Sequence, residues 1–445
     1  MSNKPTIGFC GLGLMGFGMA THLLKQGYQV KGYDVFEKTM SRWKDAGGIV
    51  SQSLEDSARD VPYYIVMVAS MPQAQVALFG SEDGKGAGGI VRALPQNATI
   101  LLCSTVPATY ARSITEQLTG LSRTDISFID CPVSGGAARA AQGTLSIMAG
   151  ADPAALSKGR WLLDELSEKL YIVKSGVGGG SNLKMAHQVL AGIHILATSE
   201  ALGLAARLGL NAEEVIKEVV DGRGDGWSWM FENRSPRALK EDYYPGASAL
   251  TIILKDVGFG PQDDAGLVRL YHSTPIASVT ARHTPTSPQT ITELPKASAN
   301  SSSSSALSQE TPISPSLIIK YLRAIHVLSA AESLVFAHAL GLDLQQFHDL
   351  VVDAAGGSTM FSKCFKSMKD RLLGSSSGQS SSGGSKLSEL LNDINSIVKE
   401  ARRVECALWL GTVVKGVFET AMYRGKVTGK NNDAIGVEEL IGYWS

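Results

Sequence analysis

The feature that most constrains this chain is Gly11-Leu12-Gly13-Leu14-Met15-Gly16, set directly after the apolar run Thr6–Cys10. It opens a helical period whose apolar face is Met15, Met19, Leu23 and Leu24, ended by Gly27. Strand, glycine turn and helix in that order give the glycines separate tasks: a tight turn, bare backbone beside a pyrophosphate, and close packing of helix on strand. The free N–H groups and dipole of the helix N-terminus then favour an anion. Asp34 closes the next strand about 20 residues beyond Gly13, where a carboxylate hydrogen-bonds adenosine ribose hydroxyls and repels a 2′-phosphate. That favours NAD, with NADP as the alternative because Arg42 and Lys44 lie close in sequence.

Around this motif, residues 1–178 alternate helix-period stretches with short apolar runs, Val30–Tyr33, Tyr64–Val68, Thr99–Cys103, Ser127–Asp130, Thr144–Met148 and Tyr171–Val173. The alternation predicts a doubly wound, Rossmann-type α/β sheet with helices on both faces. Strand signals then stop. Gly180-Ser181-Asn182 starts a helix whose apolar period runs from Leu183 to Leu208, closed by Gly209, so 179–272 reads as an all-helical domain. Residues 273–315 are dominated by Ser, Thr and Pro, too poor in apolar side chains to build a core, and read as a disordered linker. Gly374–Ser385 reads as a flexible loop.

Residues 316–442 repeat the first helical domain. Ile193-His194, Glu200 and Leu208-Gly209-Leu210 recur as Ile325-His326, Glu332 and Leu340-Gly341-Leu342, and Met230-Phe231 returns as Met360-Phe361. The copies are unequal. After Asp256, the first lacks about 32 residues that the second keeps within Ile394 to Thr428, roughly 48 Å of helix or two core-spanning helices.

Composition narrows the function classes. With 41 basic against 42 acidic residues there is no electrostatic reason to expect nucleic acid or an anionic membrane as partner. The longest apolar runs are interrupted short of the ~20 residues of a membrane span. Five scattered cysteines without a CxxC pair point away from a disulfide framework or zinc site and toward a reducing compartment. The first apolar run begins near Thr6, leaving no room for a leader, so the expectation is a cytoplasmic protein without a metal.

Four segments give the chain a resemblance to the β-hydroxyacid dehydrogenases: Gly11–Gly18 with Asp34, Ser104-Thr105, Asp130-Cys131-Pro132-Val133-Ser134-Gly135-Gly136 with Gly143-Thr144-Leu145, and Gly180 to Gln188 around Lys184. A fifth, Trp229 to Arg234 followed by Lys255-Asp256, resembles the threonate branch. The resemblance implies a second domain of the all-helical type found in 6-phosphogluconate dehydrogenase, and oxidation of a small hydroxy acid. It implies that Ser134, Gly135 and Gly136 hold the substrate carboxylate and that Lys184 is the general acid/base. Met71, Pro72, Thr105 and Lys255 match cofactor positions. His187 and Gln188 stand where the family usually has an asparagine-containing pair, and a glutamine still orients a hydroxyl. Burial between domains and the positive nicotinamide both disfavour the ammonium form of a lysine, which suits it to proton transfer.

The second copy carries Ser316 in place of Lys184 and Asn392 in place of Lys255, so it keeps the apolar pattern without the ionisable groups. It reads as a structural copy that pairs with the first where relatives use a partner subunit, with a homo-oligomer of the whole chain as the alternative. The alternative to a working dehydrogenase is a dinucleotide-binding chain impaired by the missing helices.

Overall fold

The computed structural model describes residues 4–81, 88–239, 313–375 and 385–444. Lys255 and Asp256, the Ser/Thr/Pro stretch through 312, and 376–384 of the Ser/Gly stretch lie outside the described residues. The chain divides into two compact units, Met1–Ala186 with Leu340–Leu350, and His187–Ala339 with Val351–Ser445.

In the first unit, β1 (Ile7–Cys10), β2 (Val30–Tyr33), β3 (Ile49–Val50), β4 (Tyr63–Val66), β5 (Thr99–Leu102) and β6 (Ser127–Asp130) form a sheet in the order β3-β2-β1-β4-β5-β6. Every neighbouring pair is parallel, with Ile7 opposite both Val30 and Tyr63. β1 and β5 are buried at every position, as expected of central strands covered on both faces. The covering helices are α1 (Leu14–Lys25), α2 (Glu37–Asp45), α3 (Leu54–Ala58), α4 (Met71–Phe79), α5 (Ile90–Ala93), α6 (Ala108–Gly120), α7 (Gly136–Gln142) and α8 (Pro153–Leu166). One face closes over Met19, Leu23, Trp43 and Leu162, the other over Leu78, Val91, Ile114 and Leu118. This is the Rossmann-type fold that the alternation predicts.

Two expectations are corrected. The runs near Thr144 and Tyr171 do not extend the parallel sheet. β8 (Leu145–Ala149) and β9 (Ser167–Ile172) form a separate sheet with β7 (Val133–Ser134), which runs antiparallel to β8. Pro132 has no N–H to continue the ladder beyond β6, so the chain leaves the main sheet there. The second correction concerns α9 (Gly179–Arg207), which is long and apolar enough to cross a membrane by length and composition, with mean hydropathy 1.6. His187, Gln188 and His194 break its apolar run without lowering its average far, and 61% of the window is buried, as in a core helix.

The second unit holds the rest of α9 with α10 (Ala212–Asp221), α11 (Trp229–Leu239) and α12 (Pro315–Ala339). α13 (Leu344–Val352) begins in the first unit, where Gln346 Nε2 donates to Ile172 O at 2.9 Å. α14 (Thr359–Leu372), α15 (Leu387–Arg403) and α16 (Trp409–Val427) complete the second. Equivalent residues of the two copies meet here. Trp229 N donates to Gly357 O at 2.9 Å and Thr359 N to Trp227 O at 3.2 Å, around a bridge between Ser228 and Ser358. The rings of His194 and His326 lie 4.5 Å apart, and His194 Nε2 is 3.2 Å from Ser329 Oγ. The buried Glu200 carboxylate accepts from Trp409 N at 2.9 Å and Leu410 N at 3.2 Å, capping α16, and from the Tyr321 hydroxyl.

The histidine pair should make this unit less stable in acid. Burial pushes His326 down to about 3, and burial with the neighbouring His326 and His187 holds His194 well below its ordinary 6.5. Both are neutral when folded and take a proton when unfolded, so stability is full above about pH 6.5 and is lost as pH falls toward 3. The loss is about 2 kcal/mol per histidine at about pH 5. Burial raises the Glu200 and Glu332 carboxyls, which offsets part of it. Thermal melts at about pH 7 and about pH 5 should show a lower midpoint in acid. A flat profile contradicts the assignment, and His326→Gln should reduce the slope.

Candidate active site

The described residues assigned to cofactor and substrate carboxylate follow the carboxyl ends of parallel strands. Gly11–Gly16 follow β1, Asp34 β2, Met71 and Pro72 β4, Thr105 β5, and Ser134–Gly136 β6. The strand order reverses between β1 and β4, which is where open α/β sheets take ligands. Ser104 Oγ accepts from Val68 N at 2.8 Å and so ties the segment leading to Met71 to the one carrying Thr105.

Within the nucleotide loop the glycines differ. Gly11 has φ +87, and a Cβ there would lie 2.2 Å from Met67 O. A Cβ on Gly16 would lie 1.9 Å from Gly11 O. The protein itself therefore requires glycine at both positions. A Cβ on Gly13 would meet nothing within 4 Å, so that glycine leaves space that the protein does not fill. α1 has no side-chain cap and no acidic residue in its first turn, so its N-terminal donors face that space uncapped. These residues fit the pyrophosphate of a dinucleotide.

Asp34 anchors the loop from β2. Its carboxylate accepts from Leu12 N at 2.7 Å and Phe36 N at 3.0 Å. Arg42 lies over the Phe17 ring and donates to Leu12 O at 3.4 Å. Val35 and Phe36, 76% and 68% exposed, follow Asp34 and offer an apolar shelf that the sequence reading did not single out. Asp34→Ala should weaken NAD binding about tenfold and narrow its margin over NADP. Titration calorimetry with both nucleotides tests this, and an unchanged NAD-to-NADP ratio would count against the ribose assignment.

The segment that follows Ser134–Gly136 is held to α1 by close packing. α7 crosses α1 at Gly18, where a Cβ would lie 2.9 Å from Ala141 N and 3.2 Å from Ala137 O. Arg139 Nε donates to Thr144 O at 2.7 Å and closes the segment. Ser134 is half-buried, and Gly135 and Gly136 are exposed.

Lys184 is 5% exposed, on the part of α9 that belongs to this unit. Ser181, one turn earlier, donates its N–H and Oγ–H to the buried Asp130 carboxylate at 2.8 and 2.7 Å. Sequence reasoning missed this pair. Its only signal was Asp130 heading the segment that ends at Gly136. His187 and Gln188 are buried in the second unit, and His187 Nε2 accepts from Gly356 N at 3.1 Å. Lys255 lies outside the described residues.

Comparison with known proteins accounts for both units. The family model for the NAD binding domain of 6-phosphogluconate dehydrogenase matches residues 6–176. That for the NAD-binding domain of NADP-dependent 3-hydroxyisobutyrate dehydrogenase matches 178–263 and 317–437. L-threonate dehydrogenase of Cupriavidus necator is 35% identical over 252 residues, covering 57% of this chain and 81% of its own. The crystal structure of 3-hydroxyisobutyrate dehydrogenase from Salmonella typhimurium is 31% identical with a TM-score of 0.52, covering 63% of this chain and 92% of its own. Plasmodium falciparum 6-phosphogluconate dehydrogenase, at 15% identity, shares the fold alone, with a TM-score of 0.61 over 96% of this chain and 93% of its own. With a glycine-rich turn between strand and helix at the switch point of the sheet, and these relatives beside it, the chain belongs to the β-hydroxyacid dehydrogenase family of NAD(P)-dependent oxidoreductases.

Proposed function

We propose that the chain oxidises a short polar hydroxy acid, with L-threonate preferred over glycerate or 3-hydroxyisobutyrate, and that Lys184 is its general acid/base. The observation that carries the reading is a buried lysine on the helix whose first turn is bonded to the strand leading into Ser134–Gly136. NAD, when bound, supplies the hydride acceptor. The Ser134 hydroxyl and the Gly135 and Gly136 N–H groups hold the substrate carboxylate, fixed uncharged donors suited to an anion. Neutral Lys184 takes the hydroxyl proton from the carbinol oxygen as hydride leaves the carbinol carbon, and returns it to that oxygen in the reduction direction. Met71, Pro72 and Thr105 line the cofactor, Lys255 is the further cofactor residue that the family pattern assigns, and His187 and Gln188 are the residues that it gives to the substrate hydroxyls. The free, buried cysteines suit a reducing compartment such as the cytoplasm.

The second helical copy takes the place of a partner subunit, a reading supported by the paired bonds around Ser228 and Ser358 and by the His194–His326 contact. The preference for L-threonate rests on the Trp229–Arg234 segment. Specificity constants for L-threonate, D-glycerate and 3-hydroxyisobutyrate should rank L-threonate first, and a higher value for 3-hydroxyisobutyrate would reverse the assignment.

A second reading is a dinucleotide-binding chain without useful turnover. The family match favours it, because it covers only 178–263 in the first copy against 317–437 in the second. It predicts tight NAD binding with no hydroxy-acid oxidation.

A further inference from the structure

Asp130 is the last residue of β6 and is fully buried. Its backbone is fixed on both sides: its N–H donates to Gly150 O at 3.1 Å and its carbonyl accepts from Gly150 N at 2.8 Å. Its carboxylate points at the start of α9, accepting from Ser181 N at 2.8 Å and Ser181 Oγ at 2.7 Å, with the Gly178 N–H as a third donor. The helix start approaches closely because Gly180 has no side chain. A Cβ there would lie 2.2 Å from Met148 O and 2.6 Å from Asp130 O.

Two short paths leave this point. Along the helix, Lys184 is three residues beyond Ser181 and shares its face. Along the strand, Cys131, the φ-restricted Pro132 and Val133 lead to Ser134, and Val133 and Ser134 are locked into β7. Burial raises the Asp130 carboxyl to about 6, opposed by the Ser181 and Gly178 hydrogen bonds and by the Arg112 charge, so it is ionised at neutral pH. A negative charge at that place also complements the dipole of α9.

We propose that Asp130 is a positioning residue for proton transfer: by clamping the first turn of α9 to the end of β6 it fixes Lys184 relative to the Ser134–Gly136 loop. The proposal rests on the reading of Lys184 as the proton acceptor, and it adds a group that touches neither substrate nor cofactor.

Ser181→Ala removes one bond of the clamp, Ser181→Thr keeps it, and Asp130→Asn keeps the shape while removing the charge. In the full-length chain, amide hydrogen exchange across 179–184 should quicken by about tenfold or more in Ser181→Ala and Asp130→Asn, with protection of β1, β4 and β5 unchanged. Turnover of L-threonate should fall by ~10- to 100-fold, with the KM for NAD within about twofold. Ser181→Thr should restore both. Adding Ser181→Ala to Lys184→Ala should cost nothing further, because the turn then has no lysine to place. Unchanged exchange in folded variants overturns the clamp. Quickened exchange with unaltered turnover, or additive losses in the double variant, overturns its role in proton transfer. If Asp130→Asn does not fold, the Ser181 pair decides. Turnover that survives Lys184→Ala is a distinct result: it removes the lysine reading and the positioning role with it, while exchange still decides whether Asp130 holds the helix.

Discussion

Lys184→Ala should lower hydroxy-acid oxidation by about a thousandfold at saturating NAD while leaving NAD affinity within about twofold. Positioned proton transfer contributes about 10²- to 10⁴-fold in general acid–base catalysis. The nucleotide contacts assigned to Gly11–Gly16 and Asp34 lie in the turn from β1 into α1 and just after β2, so their loss is not expected with the lysine. Lys184→Arg sharpens the test. Arginine keeps the long aliphatic stem but stays protonated near neutral pH and cannot accept the proton, so it should be nearly as inactive as alanine. Steady-state turnover together with NAD titration by tryptophan fluorescence gives both quantities. An active Lys184→Arg protein would move the proton transfer to another group.

The second large effect separates two glycines of one loop. Gly16→Ala places a Cβ 1.9 Å from Gly11 O, where only a backbone shift makes room. Overpacking of this kind costs about 1–3 kcal/mol or more, so both the melting temperature and NAD affinity should drop. Gly13→Ala places a Cβ in open space and should leave the melting temperature within about a degree or two. The same methyl stands where the pyrophosphate approaches bare backbone, so NAD should bind at least about tenfold more weakly, a loss of ~1.4 kcal/mol. Calorimetric titration beside thermal melts distinguishes the pair. Unimpaired NAD binding by folded Gly13→Ala would put the pyrophosphate elsewhere.

How much of this was legible in the sequence depends on range. β1, the glycine turn, α1 and Asp34 were readable because a strand, a tight turn and a helix start are local signals, each spelled within a few residues. β3 and β7, two residues each, are too short to show an alternation, and the departure of β8 and β9 from the main sheet followed from a proline at one position. α9 was legible as a helix through Gly180-Ser181-Asn182 and Gly209, but its membrane-like hydropathy was masked by the polar residues that break its apolar run. The Asp130–Ser181 clamp was not legible, because its partners are separated by three strands and two helices, and the helix-start signal at Ser181 does not say which carboxylate receives it. The repeat of His194 as His326 was visible as a coincidence of spacing, and only the fold shows the two rings in contact.

The most direct test of a working dehydrogenase is deuterium transfer. The unmodified full-length chain is incubated with NAD and L-threonate, D-glycerate or 3-hydroxyisobutyrate labelled at the carbinol carbon, and the nucleotide is recovered for mass spectrometry. One deuterium in the reduced nucleotide, lost in Lys184→Ala, is the predicted result. NAD bound by the chain and recovered unlabelled with all three acids would contradict it and leave the impaired, dinucleotide-binding reading in its place.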